Sequence, residues 1–193
     1  MAKLYFRYGA MGSSKTAQAL MLKYNCEEQG KKVYLIKPDI ENRDGKTKIK
    51  SRVGLEAECV LFSTFKEQIS QRSDVDVIVI DEAQFLTAED INLLARLVDK
   101  RNIDVFCYGL KIDFTGTMFD ASKRLFELAD KIEEIKTMCW CGQKATMNAR
   151  IDEHGKIVRN GAQVLMGSNN SYVALCRKHF MSGEVKYVEK TQL

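Results

Sequence analysis

Two short segments carry residues of the right type and spacing to handle a phosphate chain. The first is Gly9-Ala10-Met11-Gly12-Ser13-Ser14-Lys15-Thr16, which follows the Walker A spacing G-x-x-x-x-G-K-[ST] with Ser14 at the second glycine. Such a loop turns successive backbone N–H groups toward one phosphate chain, and the helix behind it adds its positive N-terminal end. Lys15 is expected to reach the β- and γ-phosphates and the Thr16 hydroxyl to bind Mg²⁺. The second is Val77-Ile78-Val79-Ile80-Asp81-Glu82-Ala83-Gln84-Phe85, an apolar strand ending in paired carboxylates, the Walker B arrangement. Asp81 is expected beside the Mg²⁺ shell. Glu82 is expected to face the reacting centre, where a carboxylate can take a proton from an attacking hydroxyl or water. Together the motifs imply a nucleotide phosphate site. They do not separate transfer to an alcohol from hydrolysis, because the acidic pair serves either acceptor.

A third constellation suits metal chemistry. Cys139-Trp140-Cys141 and Cys176-Arg177-Lys178-His179 offer three thiols and an imidazole on two separate segments, a soft donor set for tetrahedral Zn²⁺. No fifth ligand or open position is evident, so a structural metal is expected, pinning a unit too small to bury much core of its own. The other cysteines, Cys26, Cys59 and Cys107, stand singly in apolar segments and read as small buried residues.

The hydrophobic pattern supplies the elements that must position these groups. Strands are predicted at 3–8, 33–37, 60–62, 75–80, 103–108 and 131–138. Helices are predicted from Ala17, Leu20, Met21 and Tyr24 up to Gly30, and at 65–72, 88–101 and 121–129. Residues 38–50 are polar, without an apolar period, and read as a loop. The continuous β-branched run 75–80 suits a strand buried on both faces. Strands alternating with helices argue for an α/β fold, a parallel sheet with helices on both faces. From Cys139 the strands shorten to hairpin-sized pieces at 145–151, 162–166 and 172–176. Two units are therefore expected: 1–138, an α/β nucleotide-binding domain, and 139–193, a zinc-binding lobe.

With 193 residues, 45% hydrophobic and 29% charged, the chain has the balance of a soluble globular protein. No apolar run approaches the roughly 18 residues that span a bilayer, and the N-terminus reads as a first strand rather than a signal peptide. A cytoplasmic protein with no membrane partner is expected. A net charge of +4 suits an anionic ligand and does not argue for nucleic acid.

Taken in order, these segments resemble the zinc-containing (type II) thymidine kinase family of bacteria and animal cytosol. The resemblance runs through the Met-containing phosphate loop, Asp81-Glu82-Ala83-Gln84-Phe85, Gly109-Leu110-Lys111-Ile112-Asp113-Phe114, both metal half-sites, and Gly167-Ser168-Asn169-Asn170-Ser171-Tyr172. It implies a RecA-like P-loop core plus a small zinc lobe carrying a lasso loop that closes over a nucleoside. It implies ATP-dependent phosphorylation of thymidine to dTMP at the 5′-hydroxyl, with Glu82 as general base. Gly9, Ala10, Met11, Gly12, Ser13, Ser14, Lys15, Thr16, Asp81, Glu82, Ala83 and Gln84 would serve ATP and Mg²⁺. Met11, Phe85, Leu110, Phe114 and Tyr172 would line the thymine pocket, Phe114 stacking on the ring. Lasso main chain, from Gln163 through Val164, Leu165, Met166 and Gly167 to Tyr172, would read the polar edge of the base. Arg43 and Arg52 fall where the family has basic residues near the phosphates. The family usually has glycine in place of Ser14 and Cys-x₂-Cys in place of Cys139-x-Cys141. A homotetramer and feedback inhibition by dTTP are further implications. Three other readings compete: a broader deoxynucleoside kinase, a P-loop ATPase whose zinc unit binds a macromolecular partner, and a non-catalytic zinc-ribbon adaptor. The last leaves Glu82 and the phosphate loop unexplained.

Overall fold

In the computed structural model, which describes residues 1–41, 45, 47–163 and 172–186, β-branched and aromatic runs form the strands and segments of helical period connect them. The order is β1 (Leu4–Tyr8), α1 (Lys15–Glu28), β2 (Val33–Lys37), β3 (Lys48–Lys50), β4 (Glu56–Glu58), β5 (Val60–Leu61), α2 (Phe62–Ile69) and β6 (Val77–Ile80). A 3₁₀ turn (Ala83–Phe85), α3 (Ala88–Arg101), β7 (Asp104–Gly109), α4 (Asp120–Leu128) and β8 (Lys131–Glu134) complete the first part. β9 (Met147–Ile151), β10 (Ile157–Val158), β11 (Tyr172–Leu175) and α5 (Arg177–Ser182) follow.

Six strands pair in the order β5-β2-β6-β7-β1-β8, every pair parallel, as the alternation of strand and helix predicts. All four side chains of β6 are buried, which is why its run does not alternate with polar residues. Ile78 and Ile80 join Leu4, Phe6, Val105 and Cys107 in a core that includes residues of α2, α3 and α4. Val77 and Val79 join Phe106 and Tyr108 on the other face, with Ala19 and Leu20 of α1. Each such side chain contributes about 1.5–3 kcal/mol by leaving water, so β6 is strongly fixed and with it the position of Asp81 and Glu82.

The structure revises several local expectations. Residues 38–50 are not all loop: β3 pairs antiparallel with β4, and the pattern Lys48-Ile49-Lys50 buries only its central isoleucine. Phe62 opens α2 rather than closing a strand, and Asp39 supplies the new helix end with an acceptor, taking the Ser63 N–H at 3.0 Å. On α1, Ala17 and Leu20 face the core, but Met21 and Tyr24 point outward. β8 ends at Glu134; Ile135 N–H still donates to Tyr8 O at 2.7 Å, after which Met138 bridges Lys144.

In the C-terminal part β9 pairs antiparallel with both β10 and β11. β10 was not expected. A tight turn creates it, with Asp152 Oδ1 accepting the N–H groups of His154 and Lys156 and Gly155 at φ 76. Ala162 and Gln163 belong to no strand, and 164–166 lie outside the described residues. This part has its own apolar cluster of Ala145, Ala149, Ile151, Leu175 and Phe180 around Cys139 and Cys176. Among the described residues no helix is long and apolar enough to cross a membrane.

Candidate active site

Three connections meet at the carboxyl edge of the large sheet: the phosphate loop after β1, Asp81 and Glu82 after β6, and 109–114 after β7. In the loop, a Cβ on Gly9 would lie 2.3 Å from Ile135 O and 2.5 Å from Ser13 Oγ, so only glycine fits. Ser14 sits at φ 59, ψ 23, the left-handed conformation that glycine adopts at no steric cost. The Lys15 ammonium donates to Gly9 O at 3.0 Å, Ala10 O at 2.9 Å and Ser13 Oγ at 3.2 Å, folded onto its own loop. Burial pushes its pKa down, opposed by the nearby charges of Glu82 and Asp81.

Asp81 is buried, and loss of hydration together with the neighbouring Glu82 charge lifts its pKa to about 7, against the pull of the Thr16 hydroxyl and Lys15. Glu82 has φ 53. Gln84 Nε2 donates to Glu82 Oε2 at 2.6 Å, while Gln84 Oε1 accepts the Leu110 N–H at 3.0 Å. Gln84 thereby braces the carboxylate against the loop after β7, and a Cβ at Gly109 would come within 2.8 Å of Gln84 Oε1.

These groups open onto a cavity of about 400 Å³. Met11, Gly12, Ser13, Ser14, Lys15, Thr16, Asp81, Glu82, Gln84, Phe85, Leu110, Phe114, Gln163 and Tyr172 all line it, as does Arg52. Gly9, Ala10 and Ala83 are not among the lining residues: the first two give their carbonyls to Lys15, and Ala83 is wholly buried in the sheet core. Arg43, Val164, Leu165, Met166 and Gly167 lie outside the described residues. The cavity has a basic end, with Lys15, Lys37 and Arg52, and an aromatic end, with Phe85, Phe114, Phe119 and Tyr172. Phe85 and Phe119 meet edge to face at 5.9 Å.

Several polar residues at the site were not singled out from sequence. Asn148 Oδ1 accepts the Met11 N–H at 2.8 Å and its Nδ2 donates to Ile112 O at 2.9 Å, tying β9 to the phosphate loop. Asp113 accepts from Thr115 and Thr117 on one oxygen and from Gln163 Nε2, at 2.9 Å, on the other. Burial pulls its pKa up, but these bonds outweigh that and hold it below the usual carboxylate value. Lys37, almost wholly buried, donates to Gly45 O and, at 2.8 Å, to Lys48 O. In Met147-Asn148-Ala149-Arg150-Ile151 the alternation was the available signal, but it ordinarily marks a solvent-facing side. Here Asn148 and Arg150 are both buried.

The four thiol and imidazole donors come together. Cys139 Sγ and Cys176 Sγ each lie 3.4 Å from His179 Nδ1, Cys141 Sγ lies 4.0 Å from Cys176 Sγ, and all four donor atoms fall within 4.8 Å of one another. Such separations are those of donors at the corners of one tetrahedron around Zn²⁺. The tight Cys-x-Cys spacing works because the chain reverses at once: Gly142 N–H donates to Cys139 O at 2.9 Å, with Gly142 at φ 82. Burial raises the Cys139 pKa, but N–H groups of Cys141 and Cys176 and the His179 ring bring it down to about 6, toward the thiolate that binds metal. The far nitrogen of His179 lies 3.7 Å from Glu184, and Trp140 stacks on the imidazole at 4.2 Å, contacts that orient the ring.

Comparison with known proteins agrees over nearly the whole chain. A family profile described as thymidine kinase matches residues 2–180. The thymidine kinase of Shewanella oneidensis is 42% identical over 186 residues, covering 93% of this chain and 97% of that protein. The thymidine kinase of Zymomonas mobilis is 44% identical over 187 residues, covering 94% and 97% respectively. Among solved structures, that of the Pif1 helicase from Candida albicans aligns with a TM-score of 0.45 at 13% identity, over 71% of this chain and 36% of the helicase.

Proposed function

This chain belongs to the thymidine kinase family, and on that premise we propose that its phosphorylation of thymidine runs with Glu82 as general base. One observation carries the proposal: a single cavity joins a phosphate loop, the pair Asp81–Glu82 and an aromatic end. The Glu82 carboxylate, braced by Gln84, takes the proton of the 5′-hydroxyl as that oxygen bonds to the γ-phosphorus of ATP. The bond from this phosphorus to the β,γ-bridging oxygen breaks, and ADP leaves. Lys15 exchanges its loop carbonyls for phosphate oxygens, joined by Arg52 and Arg43. Thr16 and Asp81, which both line the cavity, are hard oxygen donors fit for Mg²⁺, which when bound would neutralise charge on the phosphates.

Thymine is held at the aromatic end by Met11, Phe85, Leu110, Phe114 and Tyr172, with the ring stacked on Phe114. Main-chain groups of Gln163, Val164, Leu165, Met166 and Gly167 read its polar edge. Enclosing the acceptor in this way keeps water from taking the phosphoryl group. Cys139, Cys141, Cys176 and His179 hold a structural Zn²⁺. A homotetramer and inhibition by dTTP rest on the resemblance to the family, and a cytoplasmic location on composition and the lack of a long apolar run. A coupled ADP-release assay tests the central step. Glu82→Gln is expected to lower turnover by about 10²–10⁴-fold while both substrates still bind, and near wild-type turnover would remove Glu82 from the role. Thymidine should drive ADP release in the wild type; equal release with no nucleoside would overturn the acceptor assignment.

A further inference from the structure

Arg150 belongs to β9 in the smaller sheet, yet its contacts are with the wall of the cavity. It is only 4% exposed, and a guanidinium drawn out of water must use its donors and its charge on what surrounds it. Nε and Nη2 donate to the Tyr172 hydroxyl at 2.9 and 2.7 Å, and Nη2 also donates to Gln163 O at 3.2 Å. The guanidinium carbon Cζ lies 3.6 Å over the Phe114 ring centre and 5.3 Å from that of Tyr172. Gln163 is tied a second time, through its side chain to Asp113, the neighbour of Phe114. Asp113, Gln163, Arg150 and Phe114 therefore close a ring of contacts that joins the loop after β7 to β9 and to the chain beside β11.

Phe114, Gln163 and Tyr172 line the cavity, whereas Arg150 does not. We infer that Arg150 is a positioning residue for the nucleoside, holding these three groups in register from behind. The guanidinium packs against the Phe114 ring, itself 1% exposed, and so fixes where that ring stands at the cavity wall. Its fork fixes the Tyr172 hydroxyl, and its second Nη2 bond fixes the Gln163 carbonyl. Lysine can replace the charge but neither the planar stacking nor the twofold donation to one oxygen. The inference rests on reading Phe114 and Tyr172 as the thymine wall, so its test must separate the two claims.

The experiment compares KM for thymidine and for ATP in Arg150→Lys, Tyr172→Phe, the double variant and Phe114→Ala, with zinc content measured on each. Arg150→Lys is expected to raise the thymidine KM about tenfold, the scale of losing hydrogen bonds to a charged group. The ATP KM should stay within about twofold, and the zinc should be retained. Tyr172→Phe is expected to raise the thymidine KM in the wild-type background and to add little once Arg150 is lysine, because the shared bond is already gone. Three results would overturn the positioning role: an unchanged thymidine KM in Arg150→Lys, an equal rise in both KM values, or fully multiplicative effects of Arg150→Lys and Tyr172→Phe. If Arg150→Lys does not fold, Tyr172→Phe decides alone, and an unchanged thymidine KM there overturns the role. Phe114→Ala distinguishes the premise: no rise in its thymidine KM would defeat the pocket reading itself, while a rise beside a silent Arg150→Lys would defeat only the inference about Arg150.

Discussion

Ser14 carries a side chain at φ 59, a conformation that costs an L-residue roughly 1–2 kcal/mol. Asn102 closes α3 at a similar angle, φ 54, but asparagine tolerates that region better than serine does. Replacing Ser14 with glycine removes the steric cost, and the greater freedom of glycine in the unfolded chain returns part of the gain. Ser14→Gly should therefore stabilise the protein by up to about 1 kcal/mol, and Ser14→Val should destabilise it; thermal melts of both against wild type check this, and a lower Tm for the glycine variant would contradict it. Asp81 stores a different cost. Its folded pKa, about 7, lies above the unfolded value of 3.8, so between those values the folded chain binds the extra proton. The contribution of this group is present below about pH 4 and lost as pH rises to about 7. In metal-free buffer, Asp81→Asn should flatten that part of the stability–pH curve and raise the Tm at neutral pH. An unchanged slope would mean that Asp81 is not the group responsible.

At the scale of elements, the smaller sheet and α5 share one apolar cluster, in which Cys139 and Cys176 themselves take part. That cluster is small, and the metal that the four donors fit would supply most of its order. Cys176→Ser is accordingly expected to lose one equivalent of zinc and to expose the cluster, read as protease cleavage within 139–186 and dye binding; a variant that stays zinc-free yet resists protease would refute the structural role. The elements also divide by how legible they were. The β6 run, the phosphate loop and the stripe Ile91, Leu94, Val98 on α3 could be read directly, because burial on both faces or on one helical face leaves a period in the residue types. The hairpin of β3 and β4 and the strand β10 could not, since three residues or fewer carry no period and their pairing is decided by turns such as the one at Asp152. The same limit applies to the site. Residues of a motif, from Gly9 to Thr16 and from Asp81 to Glu82, were readable from spacing. Asn148 and Arg150 are not, because what makes them matter is a partner on a distant segment, and Asp113 stands within a recognisable segment whose spacing does not disclose its bond to Gln163.

At the scale of the molecule, the two ends of the cavity draw on different parts of the chain. The basic end is built from the loop after β1, the ends of β2 and β6, and Arg52 from the hairpin of β3 and β4, all within the part of the chain that holds the two larger apolar clusters. The aromatic end borrows Tyr172, Gln163 and Asn148 from the C-terminal part, with Arg150 behind Tyr172 and Gln163. Loss of order in the C-terminal part should therefore remove only one of the two binding functions. Stripping zinc with a strong chelator, followed by readdition of Mg²⁺, is expected to abolish thymidine binding while a fluorescent ATP analogue still binds within a few-fold of its original affinity. The Met11 N–H bond to Asn148 is the shorter of two described bonds by which disorder could reach the phosphate loop, the other running from Thr137 to Gly12 O at 3.5 Å, and a bond of this kind is worth about 1 kcal/mol, which sets the few-fold bound. Calorimetry with each ligand on stripped and zinc-restored protein makes the comparison. Parallel loss of both ligands would mean that the phosphate loop depends on the zinc unit for its shape, and that the two parts of the chain fold as one cooperative body.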